Sequence, residues 1–150
     1  MAAQRQAEVV WEGSLGKGSG RLELKSGAAP VLPVTWASRT ERSGGKTSPE
    51  ELVAGAHASC FAMALSFELE QAGSAPEKLD VTATCTLDQV DGGWRVTASA
   101  LKVEGVVPGL DEASFVEAAE RAKEGCPISG ALKGNLAITL QARLARGSAG

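Results

Sequence analysis

Three cysteines, Cys60, Cys85 and Cys126, and a single histidine, His57, hold most of the nucleophilic and metal-ligating capacity of this 150-residue chain. An odd cysteine count excludes a complete disulfide framework. One histidine leaves little for a His-rich metal centre or a Ser-His-Asp triad. A cysteine pair in a chain of intracellular character more often does chemistry than staples a fold. Gly125-Cys126-Pro127 puts one thiol at the cap of a helix. Unpaired backbone N–H groups and the positive end of the macrodipole favour a thiolate there. Cysteine is not a preferred cap residue, so redox use stands level with a structural cap. Cys60 falls midway along an apolar helix and, taken alone, reads first as a small buried hydrophobe and only second as a nucleophile. Cys85 lies in the inward row of a strand between Ala83 and Leu87 and reads as packing. His57 and Cys60 are spaced i, i+3, so both could face one zinc ion with Cys126. That set has at most three ligands, with no second Cys or His pair at short spacing. Arg39 reads as a solvated strand end. Glu50 stands in a first helical turn, where the dipole favours any acid. Pattern alone couples neither of them to a cysteine.

Composition bounds the frame that must position these groups. The chain is 15.3 kDa and 43% hydrophobic, with a formal net charge of −3. This size suits one domain over residues 1–150. A pI near 5.2 argues against a general nucleic-acid binder. No uninterrupted apolar run reaches the ~18 residues of a membrane helix. The first ten residues include Gln4, Arg5, Gln6 and Glu8 and have no apolar core of a signal peptide. A cytoplasmic protein with no membrane partner is the expectation. Aromatic residues are 4% with no tyrosine, so Val, Leu and Ala must build the core.

Strands are expected at Glu8–Glu12, Gly20–Leu24 and Pro33–Ala37, followed by a polar loop over residues 39–48. Ser48-Pro49-Glu50-Glu51 is a capping box with proline at the first helical position. The helix it opens should run to Ala72 and stop at Gly73. Leu52, Val53, Ala56, Phe61, Met63, Leu65 and Phe67 point all round its wheel. A helix apolar on every side needs cover on every side, which a single small domain cannot supply. A homodimer follows as the expectation. Val81, Ala83, Cys85 and Leu87 alternate with Thr82, Thr84, Thr86 and Asp88, and Asp91-Gly92-Gly93 turns the chain into a return strand from Trp94 to Val103. Asp111 caps a second helix, with Leu110 and Phe115 as a hydrophobic staple. Cys126-Pro127 opens a further turn, and Asn135–Leu144 forms a last strand. The order β-β-β-α-β-β-α-α-β, read as lacking parallel βαβ alternation, indicates an α+β fold.

Thr47-Ser48-Pro49-Glu50-Glu51-Leu52-Val53-Ala54-Gly55-Ala56-His57-Ala58-Ser59-Cys60-Phe61 and Ala122-Lys123-Glu124-Gly125-Cys126-Pro127-Ile128-Ser129, with their cysteines 66 positions apart, resemble the osmotically inducible protein C (OsmC) and organic hydroperoxide resistance (Ohr) family. Leu79-Asp80, the Asp91-Gly92 turn and Val107-Pro108-Gly109-Leu110-Asp111 extend the resemblance over essentially the whole chain. Ala-His-Ala-Ser-Cys-Phe and Gly-Cys-Pro-Ile-Ser look like the OsmC branch. The other branch more often carries Val-Cys-Pro-Tyr-Ser. The resemblance implies an intertwined homodimer, with two long central helices wrapped by two β-sheets built from both chains. It implies a thiol-dependent peroxidase that reduces organic hydroperoxides in oxidative or osmotic stress defence. Cys60 matches the peroxidatic cysteine and Cys126 the resolving one. Arg39 matches the active-site arginine and Glu50 the glutamate that orients it. Arg42, in a loop one residue longer than in compared members, is the competing arginine. Cys85 has no counterpart.

The implied chemistry needs a thiolate, because the thiol is a poor nucleophile. Burial alone would raise the Cys60 pKa. A guanidinium at ~4 Å contributes about 4 kcal/mol at an effective dielectric of ~20, or roughly 3 pKa units, and could bring it below neutrality. Cys60 would become a sulfenic acid, condense with Cys126 and be reduced by an external dithiol, of the lipoyl type by resemblance. No bound cofactor or metal is called for. Phe61, Met63 and Phe67 are the apolar residues expected to favour bulky alkyl hydroperoxides. Two alternatives stand beside this reading: a non-catalytic redox-sensing or small-ligand-binding dimer, and a zinc site at His57, Cys60 and Cys126.

Overall fold

A computed structural model describes residues 1–145. The chain forms two compact units, Met1–Leu52 and the remainder from Val53 onward. The first holds an antiparallel sheet of β1 (Ala7–Glu12), β2 (Ser19–Leu24) and β3 (Leu32–Val34), in that order. The third strand is shorter than its β-rich sequence suggests. Thr35 ends it and caps a short helix, α1 (Trp36–Thr40), that the sequence reading missed. The Thr35 hydroxyl accepts from the Ser38 N–H at 3.0 Å, and the Ser38 hydroxyl accepts from the Thr35 N–H at 3.0 Å. This local capping box overrides the strand preference of Trp36. The following loop is tied back to β3, since the Thr47 N–H donates to the Pro33 carbonyl at 2.9 Å and the Ser38 hydroxyl donates to the Thr47 carbonyl at 2.9 Å.

Helix α2 (Pro49–Gln71) begins as its sequence dictates. The Ser48 hydroxyl accepts from the Glu51 N–H at 3.1 Å, while the Glu51 carboxylate accepts the Thr47 hydroxyl at 2.6 Å. At the other end Gly73 takes φ +82, the Ser74 N–H donates to the Leu69 carbonyl at 2.8 Å and the Gly73 N–H to the Glu70 carbonyl at 2.9 Å. A glycine fits this left-handed stop without steric cost. His57, Phe61, Leu65 and Leu69, four residues apart, form a stripe no more than 1% exposed. Ala56, Ser59, Met63 and Phe67 are exposed, Met63 at 69% and Phe67 at 58%. A single chain therefore covers one side of an all-apolar helix. The helix also revises the membrane-length expectation: its best 18-residue window has a mean hydropathy of 1.4, enough by length and composition alone to cross a membrane.

The second unit carries β4 (Lys78–Val90), β5 (Gly93–Val106) and β6 (Ala137–Leu144) in one sheet of that order. The hairpin turns at Asp91 and Gly92, with φ of +52 and +80. Two successive positive φ values match the right-handed twist of the strands. Helix α3 (Glu112–Gly125) starts at Asp111, whose carboxylate accepts from the Ser114 N–H at 3.0 Å. Helix α4 (Pro127–Leu132) follows after one residue. Together they carry the chain to β6, which pairs with β5 in parallel. The element order, taken as lacking parallel βαβ alternation, does not foretell this pair. A crossover with helices permits one, and β5–α3–α4–β6 is such a crossover. Phe61, Leu65 and Leu69 of α2, Leu101 and Val103 of β5, and Phe115 and Ala118 of α3 are part of one buried cluster, backed by Ile138, Leu140, Ala142 and Leu144.

Gly105 marks the tightest approach in this core. A Cβ there would meet Cε1 and Cζ of the fully buried Phe115 at 2.6 Å. Gly105→Ala should destabilise the protein by about 1–3 kcal/mol, the usual cost of overpacking. Urea denaturation reads this directly, and an unchanged midpoint would mean that the ring yields.

Candidate active site

Cys126 is at once the C-cap of α3 and the N-cap of α4. Its N–H donates to the Ala122 carbonyl at 2.9 Å, and its carbonyl accepts from the Gly130 N–H at 3.0 Å. The backbone does all the capping, and the side chain makes no cap hydrogen bond. The thiol is thereby left for Cys60, the neighbouring titratable group. Burial pushes the Cys60 thiol up, and the neighbouring Cys126 adds to this, while the Ile128 N–H acts in the opposite direction. The fall below neutrality expected from the sequence is thus not what this environment produces. Cys60 is half-buried, whereas Cys126 is 1% exposed. A reagent from solvent meets Cys60 first. Cys85 faces inward on β4, opposite Ser99 across the hairpin.

One turn before Cys60, His57 is fully buried between two hydroxyls. Nδ1 lies 2.6 Å from Ser99 Oγ on β5, and Nε2 lies 2.8 Å from Ser129 Oγ on α4. Burial lowers the imidazole pKa, which favours the neutral ring. A neutral ring donates from one nitrogen and accepts at the other, so this pair of hydroxyls satisfies it fully. Both nitrogens are then occupied, which removes His57 from the zinc set considered above. Among the described residues no group of three His, Cys, Asp or Glu side chains is placed to hold a metal ion. No signal in the sequence ties His57 to Ser99 or Ser129. The partners lie 42 and 72 residues away in sequence.

In the first unit Arg39 and Glu50 form a two-pronged ion pair. Arg39 Nε donates to Oε1 at 3.0 Å and Nη2 to Oε2 at 2.9 Å. Such fork-to-fork pairs fix orientation as well as charge. Arg39 lies in the last turn of α1 rather than at a strand end, and its Cζ stands 5.9 Å from the Trp36 ring centroid. Glu50 is 7% exposed. Arg42 is exposed on the loop, and Glu50 pairs with Arg39. Beside Arg39 opens an apolar cavity of about 370 Å³, lined by Val9, Trp11, Leu22, Trp36 and Leu52 among others. Phe61, Met63 and Phe67 do not line it. Phe61 belongs to the core, and the other two lie on the uncovered face of α2.

The family model described as OsmC-like protein matches residues 42–141. The chain is 40% identical over 141 residues to Peroxiredoxin OsmC of Escherichia coli (strain K12), across 94% of this chain and 98% of that one. The chain belongs to the OsmC-like family. This OsmC-family protein is also 30% identical over 98 residues to an organic hydroperoxide resistance protein of Xanthomonas axonopodis pv. citri (strain 306), covering 65% of this chain and 67% of the relative. Its fold is that of solved family members. An organic hydroperoxide resistance protein OsmC from Legionella pneumophila superposes with a TM-score of 0.72 at 24% identity, over 95% of this chain and 99% of the other. OhrB of Bacillus subtilis gives 0.73 at 24% identity, over 92% and 98%. The α+β expectation and the family resemblance both hold.

Proposed function

We propose that this OsmC-family protein is a thiol-dependent peroxidase that reduces organic hydroperoxides to alcohols in stress defence, acting as a cytoplasmic homodimer. The observation that carries the reading is that a half-buried Cys60 has as its neighbour a buried Cys126 from 66 positions further along the chain. The Cys60 thiolate attacks the distal oxygen of R–O–OH. The O–O bond breaks, the alkoxide takes a proton and leaves as alcohol, and the sulfur becomes a sulfenic acid. Cys126 attacks that sulfur, an S–S bond replaces the S–O bond, and water leaves. An external dithiol, of the lipoyl type by resemblance, restores both thiols and becomes a disulfide itself.

Arg39 is the cation of this reading and Glu50 the group that orients it. The need for a cation is supported by the burial that holds the Cys60 thiol up. The apolar cavity beside Arg39 supports an alkyl rather than a strongly polar substrate. The uncovered Met63 and Phe67 support a second chain along α2. No cofactor is assigned to the protein itself.

The deciding experiment follows cumene hydroperoxide continuously with dihydrolipoamide as reductant, on protein whose zinc content has been measured. Many turnovers per chain without stoichiometric zinc are expected. A single equivalent consumed would make the protein a sensor. Stoichiometric zinc with no consumption would overturn the peroxidase reading.

A further inference from the structure

Two ties join α2 to α4, one turn apart on each helix. The first is the thiol pair Cys60 and Cys126. The second runs from His57, three residues before Cys60, to Ser129, three residues after Cys126. Only the second is anchored behind, because the other nitrogen of His57 is held by Ser99 on β5. All three side chains are buried, at 0%, 0% and 4% exposure. Helix α4 is six residues long and its N-cap side chain makes no capping hydrogen bond. So short a helix has little stability of its own and takes its place from outside contacts. A buried, directional hydrogen bond to a ring fixed at both nitrogens is such a contact.

We propose that His57 is a positioning residue which, by bridging Ser99 to Ser129, holds the Cys126 end of α4 against Cys60 for disulfide closure. The proposal rests on the peroxidase reading for the step it serves. In that step the Cys126 sulfur bonds to the Cys60 sulfur, the S–O bond of the sulfenic acid breaks, and hydroxide leaves as water with the proton of the Cys126 thiol. The sulfenic sulfur is reduced by one electron equivalent and Cys126 is oxidised by one. Rate and equilibrium both depend on how often the sulfurs meet in line, which is what preorganisation governs. His57 touches neither the peroxide nor a sulfur in this scheme, so attack on the hydroperoxide does not need it.

The test separates closure from peroxide chemistry. Wild type, Ser129→Ala, Ser129→Thr, His57→Gln and the Ser129→Ala/His57→Gln double variant are equilibrated in buffers of reduced and oxidised dithiothreitol. The Cys60–Cys126 disulfide is then quantified by alkylation and intact mass. Ser129→Ala and His57→Gln should each lower the disulfide equilibrium constant roughly tenfold, the weight of one buried hydrogen bond. The double variant should be little worse than either single one, since all break the same bridge. Ser129→Thr keeps the hydroxyl and should restore closure. The reduced variants should keep the wild-type m-value in urea, which a general loosening of the fold would not permit. Wild-type constants in both single variants, a threonine no better than alanine, or a wild type that forms no such disulfide would each overturn the proposal. A wild type that closes the disulfide in this buffer but consumes no cumene hydroperoxide defeats the peroxidase reading instead, and the measured constants still decide the role of His57.

Discussion

Cys60→Ser should lower hydroperoxide turnover by more than about 10³-fold, because an un-ionised hydroxyl replaces the only group proposed to attack the peroxide. Cys126→Ser should behave differently. Its Cys60 still reacts with the first equivalent at a rate close to that of the wild type. The serine hydroxyl cannot condense with the sulfenic acid, so turnover then stops. With excess hydroperoxide Cys60 should accumulate as sulfinic acid, one oxygen beyond the sulfenic state and beyond rescue by a dithiol. Single-turnover consumption followed by intact mass distinguishes the two variants in one experiment. Cys85→Ser should leave turnover near that of the wild type. Loss of activity there equal to that of Cys60→Ser would show that the working pair has been wrongly chosen.

Arg39→Ala should weaken both stability and rate. The Glu50 carboxylate is 7% exposed and takes two short hydrogen bonds from the guanidinium. Removing the cation leaves that carboxylate buried without a partner. The Arg39 side chain is itself 32% exposed, so water softens the loss, and about 2–3 kcal/mol is expected. Glu50→Gln removes the charge but keeps a hydrogen-bonding amide and should cost less, about 1–2 kcal/mol. The rate carries its own signature. Burial and Cys126 hold the Cys60 thiol above its ordinary value, so the thiolate fraction grows as pH rises into the alkaline range. Without the guanidinium proposed to favour the thiolate, the pH–rate profile should move further to the alkaline side. Arg39→Lys should recover part of this shift but not the stability, since ammonium lacks the two-pronged geometry. A profile identical to wild type in Arg39→Ala would remove arginine from the mechanism. Urea denaturation and stopped-flow rates from neutral to alkaline pH supply both readouts.

Local signals in the sequence were read correctly where local bonds decide the structure. The Ser48 cap, the Gly73 stop, the Asp91-Gly92 turn and the Asp111 cap each depend on residues within a few positions of one another. Short-range signals also misled. Trp36 lies in a β-rich stretch, yet the Thr35–Ser38 cap turns it into a helix. The direction of β6 was illegible for another reason. Alternation along Ile138, Leu140, Ala142 and Leu144 shows which face is inward, and it is the same for a parallel and an antiparallel neighbour. In the candidate site the two cysteines emerged through whole motifs, whereas Arg39 came from the resemblance with Arg42 as its competitor, and its ion pair with Glu50 had no signal in the local pattern. Ser99 and Ser129 gave no signal, since neither residue type nor spacing ties them to a histidine on a distant helix.

The sheet and the long crossover have a thermodynamic consequence of their own. Cys60 and Cys126 lie 66 positions apart, and the hairpin and α3 fall between them. A bond between these sulfurs would enclose most of the second unit in a single covalent loop. By loop-closure entropy, such a loop raises the free energy of the unfolded chain by about 4 kcal/mol. Redox state and thermal stability would then be coupled, the oxidised protein melting above the reduced one. Each reduction would restore the thiols and, in the same event, return the protein to its less heat-resistant form.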